Sequence, residues 1–177
     1  MAVLKKLLYG AVVLVVVVAM AGFMLPKEYT VERSIVIDAP PEEIYANVVD
    51  LRAWPQWGVW FKRDPEMKIT YSGPDRAIGM RTTWQSQTEG DGEMEITELH
   101  HNRQVVYSLY FPEFDMGSTG KFLLEPVSEG TRVTWSDQGS VGMNPVDRYF
   151  VLMIDNLIGP DFETGLQNLK TVIENRG

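Results

Sequence analysis

The chain has 177 residues, 45% hydrophobic and 11% aromatic, with 24 acidic against 16 basic side chains and no cysteine. That length holds one ordinary domain, and the aromatic content is too high for a disordered chain. Without cysteine there is no disulfide scaffold, thiolate zinc site or cysteine nucleophile, and a charge of −8 lacking any lysine or arginine cluster argues against nucleic-acid binding, which must neutralise phosphates.

Leu7 to Leu25 is an uncharged run of nineteen residues. As a helix it reaches about 28 Å, close to the thickness of a bilayer core. Lys5 and Lys6 precede it and no acid occurs before Glu28, a bias that keeps the N-terminus in the cytoplasm and sends the rest across. The rival reading is a cleaved signal peptide with Ala19-Met20-Ala21 as its cleavage site. Gly22, Phe23, Met24 and Leu25 prolong the apolar run past that site, which a membrane span needs and a signal does not. We read residues 1–26 as a transmembrane anchor, with a signal peptide as the alternative, and 27–177 as an exported domain. Removing Lys5 and Lys6 leaves 14 basic and 24 acidic residues, a charge of −10 that does not attract an anionic lipid surface.

Tyr29, Val31, Ile35 and Ile37 alternate with Thr30, Glu32 and Ser34, the pattern of a strand with one buried face. Ala39-Pro40-Pro41 breaks it, and Pro41-Glu42-Glu43 opens a helix to about Asp50, since proline suits the first turn and carboxylates complement the dipole there. An aromatic loop follows, with Trp54, Trp57, Trp60 and Phe61 around Pro55 and Gly58.

Six further strands are predicted over 68–71, 79–86, 93–99, 105–111, 121–125 and 131–138, separated by turn-forming clusters at hairpin spacing. No helical pattern intervenes, which argues against a parallel sheet. Asn144 and Pro145 then form a helix start, with Tyr149, Phe150, Met153 and Leu157 at helical spacing. Gly159-Pro160 is expected to kink or break that helix, and Phe162, Leu166, Leu169 and Val172 or Ile173 resume the stripe.

The order is α+β, with a terminal helix whose only surface to pack on is a twisted antiparallel sheet. Ile37-Asp38-Ala39-Pro40, Glu42, Glu43, Tyr45, Asp50, Trp54, Trp57, Gly130-Thr131-Arg132-Val133-Thr134-Trp135, Gly159, Phe162, Gly165 and Leu166 together carry a resemblance. The chain resembles the START/Bet v 1-like (SRPBCC) superfamily, in its polyketide cyclase/dehydrase-like branch, from about Tyr29 to Glu174. The resemblance implies a helix-grip fold, a seven-stranded antiparallel sheet wrapped around the long helix with a hydrophobic cavity between them. Members bind lipids, sterols, polyketides or other apolar molecules, and some catalyse cyclisation or dehydration. The membrane segment is an addition to the basic pattern.

Strand parity names the cavity. Met94 and Ile96, Phe122 and Leu124, and Val133 and Trp135 choose the inner face; Met80, Thr82 and Trp84 are preferred over Arg81, Thr83 and Gln85, and Tyr107, Leu109 and Phe111 are taken inward. The helix is expected to offer Tyr149, Met153 and Phe162. The candidate ligand-binding set is thus Trp60, Met80, Trp84, Met94, Ile96, Tyr107, Phe122, Trp135, Tyr149, Met153 and Phe162, residues that equally suit a plain core. The tryptophan loop lines the pocket mouth, touches lipid or covers the sheet end, with Trp60 the member least tied to the fold.

Groups for chemistry are few. His100 and His101 are adjacent in a turn and poorly placed to share a metal, and Glu89, Asp91, Glu93 and Glu95 lack the order of a calcium loop. Asp137 shares parity with Trp135 and Val133; as a buried carboxylate it is a candidate acid or base, with a histidine as the other group able to move a proton. No phosphate loop, dinucleotide fingerprint, serine elbow or zinc-protease motif occurs, so no metal or cofactor is implied. The expectation is a module held in a bacterial inner membrane through residues 7–25, its domain periplasmic or extracellular, holding a lipid or other hydrophobic small molecule. The alternative is a cyclase or dehydratase-like enzyme using the same pocket.

Overall fold

The structure, a computed structural model, describes residues 2–175. Helix α1 (Ala2–Met24) precedes strand β1 (Glu28–Ile37), helix α2 (Pro41–Val48), a 3-10 turn (Trp54–Gln56) and the short helix α3 (Val59–Arg63). Strands β2 (Lys68–Ser72), β3 (Arg81–Gln85), β4 (Gly92–His100), β5 (Gln104–Phe111), β6 (Met116–Val127) and β7 (Gly130–Ser140) lead to helix α4 (Arg148–Glu174). The seven strands form one antiparallel sheet in the order β1-β7-β6-β5-β4-β3-β2. This is the expected α+β helix-grip architecture.

Four local expectations need correction. Strand β6 starts at Met116, because Met116-Gly117-Ser118-Thr119-Gly120, turn-like in composition, pairs with β5 and with β7. Tertiary pairing outweighs local propensity here. Helix α4 runs through Gly159-Pro160 without a break. Pro160 and Asn156, the residue whose carbonyl it leaves without a donor, are both exposed, so water can take that acceptor. The helix also begins three residues after Pro145, with Asn144 Oδ1 accepting from the Val146 amide in a preceding turn. The aromatic loop contains the 3-10 turn and α3, placing Trp54 and Trp57 at 2% and 0% exposure. They cover the sheet from within the core and are out of reach of lipid.

Helix α4 runs alongside β1 and in the same direction. Arg33 of β1 holds Asp155 and Glu163, Lys170 Nζ donates to the Val36 carbonyl, and Glu174 accepts from the Asp38 amide. The buried side of α4 is the stripe Ile154, Gly159, Phe162, Gly165, Leu166, Leu169 and Ile173.

Candidate functional site

The register fixes which residues share the inner face. Tyr29 lies opposite Gly139, Gly139 opposite Ser118 and Ser118 opposite Leu109; one row further in run Val31, Asp137, Gly120 and Tyr107. The next row is Arg33, Trp135, Phe122 and Val105. Met80, Met94, Ile96, Tyr107, Phe122, Trp135 and Phe162 are all buried in one cluster, and the half-buried Trp60 and Trp84 pack against it.

Trp135 is the centre of that cluster. Phe162 of α4 stacks on it at 4.1 Å between ring centroids and Phe122 at 4.8 Å, while Trp57 and Trp60 meet it edge-on at 5.6 and 5.8 Å. Its indole N–H donates to the Tyr107 hydroxyl at 2.8 Å. Gly120 is small because the Tyr107 ring lies where a side chain would start: a Cβ there would stand 2.0 Å from it. Around Trp135, therefore, the space between sheet and helix is occupied by the protein's own aromatic rings.

Tyr149 and Met153 lie apart from this cluster. Met153 is 56% exposed, and Tyr149 donates from its hydroxyl to the Val18 carbonyl of α1. The inward face of the first half of α4 is Ile154 and Ile158. Beyond the filled rows the inner face stays apolar and half-buried at Tyr71, Trp84, Leu109 and Phe111. Trp84 meets Phe111 edge-on at 5.9 Å and donates to the Gly90 carbonyl. Arg63 braces this region, pairing through its guanidinium with Glu89 of the β3–β4 turn and with Asp161 of α4 at 2.8 to 3.0 Å. Sequence reading misses Arg63, whose partners stand 26 and 98 residues away.

The polar component is Asp137, 3% exposed, whose Oδ2 accepts from Ser118 Oγ at 2.8 Å. Burial pushes its pKa up, against the lowering effect of hydrogen bonds from Ser118 and Tyr29. Burial, and then the nearby Asp137 charge, push the Tyr29 phenol up to about 12, and the same two causes raise Tyr107. Asp137 thus faces the interior, as parity indicates, in an environment that favours its protonated form.

The other titratable groups disperse. His100 bonds to Glu98 at 2.8 Å, and His101 lies edge-on to Tyr45. Glu89 pairs with Arg63, Glu93 and Glu95 with Arg81, and Asp91 accepts from the Ser86 amide. A groove of about 600 Å³ lies at one end of β1, β5, β6 and β7, lined by Thr30, Ser108, Thr119 and Gln138 of outward parity and also by Tyr29, Leu109, Ser118 and Gly139 of the inner-face row. A second, of about 310 Å³, is lined by Asn47, Asp50, Arg52, Gln56 and Arg76 and is polar. Neither is lined by the aromatic cluster around Trp135.

Comparison with known proteins agrees with this geometry. A protein from Mesorhizobium loti shares 20% identity and a TM-score of 0.60, over 84% of this chain and 98% of its own. A protein of unknown function from Staphylococcus aureus shares 15% identity and a TM-score of 0.65, over 84% and 95%. The di-domain ARO/CYC StfQ of the steffimycin biosynthetic pathway shares 14% identity and a TM-score of 0.63; the match spans 84% of this chain and 51% of that one. These likenesses show the fold. No curated protein matches the sequence significantly. The family model described as polyketide cyclase / dehydrase and lipid transport matches residues 28–174, from the first residue of β1 to the last of α4, and the chain belongs to that family.

Proposed function

We propose that this protein is a membrane-anchored module that holds a lipid or other hydrophobic small molecule against the inner face of its sheet. One observation carries the reading: the inner face is apolar across more strands than α4 covers. The cluster around Trp135 fills the part beneath Phe162, while Tyr71, Trp84, Leu109 and Phe111, on strands farther from β1, stay half-buried. A ligand shelved there would bury apolar surface that no side chain covers completely, with Asp137, Ser118 and Tyr29 as polar anchors at its inner end. Family membership supports a hydrophobic ligand.

Helix α1 is long and apolar enough to cross a membrane, and we read it as a retained anchor with Lys5 and Lys6 in the cytoplasm. The domain then stands on the outer side of a bacterial inner membrane. A second reading, a cyclase or dehydratase, draws on Asp137: a carboxyl facing the ligand space whose pKa burial raises is suited to exchanging a proton with a bound molecule.

The test is native mass spectrometry of residues 27–177, a unit whose counterparts in the solved relatives make up nearly the whole chain. The expected result is a stoichiometric apolar adduct that leaves on denaturation. An adduct-free mass that persists after incubation with lipid extracts would contradict the reading. Turnover of a bound molecule that is lost in Asp137→Asn with binding kept would establish the enzyme instead.

A further inference from the structure

The first half of α4 carries two apolar faces. Ile154 and Ile158 turn toward the sheet, whereas Phe150, Met153 and Leu157, spaced i, i+3 and i+7, form an outward stripe at 41%, 56% and 49% exposure. Met143 and Val146, in the loop that leads into α4, are 73% and 60% exposed. Large apolar side chains at neighbouring exposed positions mark a surface with a partner.

What lies beside this stripe identifies the partner. Arg148 donates to the carbonyls of Phe23 and Leu25 at the end of α1, and its guanidinium lies over the Phe23 ring. A Cβ on Gly22 would stand 2.2 Å from the Pro145 carbonyl oxygen, so loop and helix touch there. Tyr149 reaches the Val18 carbonyl at 2.7 Å. Val18 lies seven residues before Leu25, or about 10 Å down the helix axis. If α1 spans a bilayer core of about 30 Å, the start of α4 is carried below the level at which α1 leaves the hydrocarbon.

We propose that Met143, Val146, Phe150, Met153 and Leu157 are inserted in the outer leaflet around α1, so that the domain lies on the lipid surface with this edge immersed. The inference rests on reading α1 as a retained anchor. Insertion is driven by apolar burial and not by charge, consistent with the domain's charge of −10: Asp155 beside the stripe is held by Arg33, and an amphipathic helix at an interface buries its apolar side by about 5–10 Å. With this edge immersed the domain is held against the lipid, which makes a membrane-dissolved molecule the natural cargo.

The absence of cysteine makes the test clean. Single cysteines at Met153, Leu157, Val12 within α1, and Glu129 in the β6–β7 turn at the far end of β1 are labelled with an environment-sensitive fluorophore. The full chain is placed in phosphatidylcholine nanodiscs with or without nitroxide-bearing acyl chains. The expected result is a several-fold loss of emission at positions 12, 153 and 157 and none at 129, unchanged by added salt. Quenching at 12 without quenching at 153 and 157 would overturn the immersed edge and leave the anchor standing. No quenching at 12 would overturn the anchor reading, and the immersed edge with it.

Discussion

The two halves of α4 differ in apolar content and in partners: seven of the ten residues over 148–157 are apolar, against five of the twelve over 162–173. From Phe162 to Ile173 the apolar residues are buried against the sheet, with Phe162 stacked on Trp135 and Leu166, Leu169 and Ile173 at 4% exposure or less. From Arg148 to Leu157 only Ile154 is fully buried, and Phe150, Leu152, Met153 and Leu157 face outward. One continuous helix therefore joins a section whose stability comes from the core to a section whose apolar surface is left for something outside the domain. Residues that look alike in sequence differ in role because the sheet meets only one side of the helix.

Substitutions can break this contrast, beginning with the largest effect. Trp135→Ala removes the ring on which Phe162, Phe122, Trp57 and Trp60 converge and leaves the Tyr107 hydroxyl without its indole donor. A loss of roughly 4 kcal/mol of stability is expected for such a buried aromatic, read by denaturant unfolding of residues 27–177. Gly120→Ala forces the Tyr107 ring from its place and should cost about 1–3 kcal/mol by overpacking; an unchanged unfolding midpoint would show that the cluster is looser than its contacts imply.

Asp137→Asn probes the boundary between the filled and open rows through pH. Burial raises the folded-state pKa above the unfolded value near 4, so the folded protein holds the proton more tightly. The stability associated with Asp137 is complete below about pH 4 and falls as pH rises toward the folded-state pKa. The asparagine variant, which cannot ionise, should melt higher than the parent at neutral pH and lose that advantage below about pH 4. An advantage that grew on acidification would contradict the sign. The smallest effect belongs to the outward stripe: Met153→Ser should change the stability of the lipid-free domain by no more than about 0.5 kcal/mol, since its side chain has no core to leave.

Much of the fold is legible in the sequence because alternation and turn chemistry are local. The inward parity of Met94, Ile96, Phe122, Val133 and Trp135 follows from period two, and the register bears it out. Helix α4 is harder, because its first half offers two apolar stripes and helical spacing cannot say which one the sheet takes. Tyr149 and Met153 read as inward residues until β1 is seen to lie on the side of Ile154 and Ile158. Pro160 reads as a kink or break, and the helix is unbroken because solvent, invisible in sequence, can receive the freed carbonyl. Arg63 and the Tyr29–Ser118 surroundings of Asp137 depend on pairings between distant strands and helices, which no local pattern encodes.

Hydrogen–deuterium exchange compared between residues 27–177 in water and the full chain in phosphatidylcholine nanodiscs tests the division of α4 most directly. The account predicts slow exchange over 162–173 in both samples and marked slowing over 148–157 only in the nanodisc. Equal protection of 148–157 in the two samples, or a lipid-dependent change confined to 162–173, would contradict it.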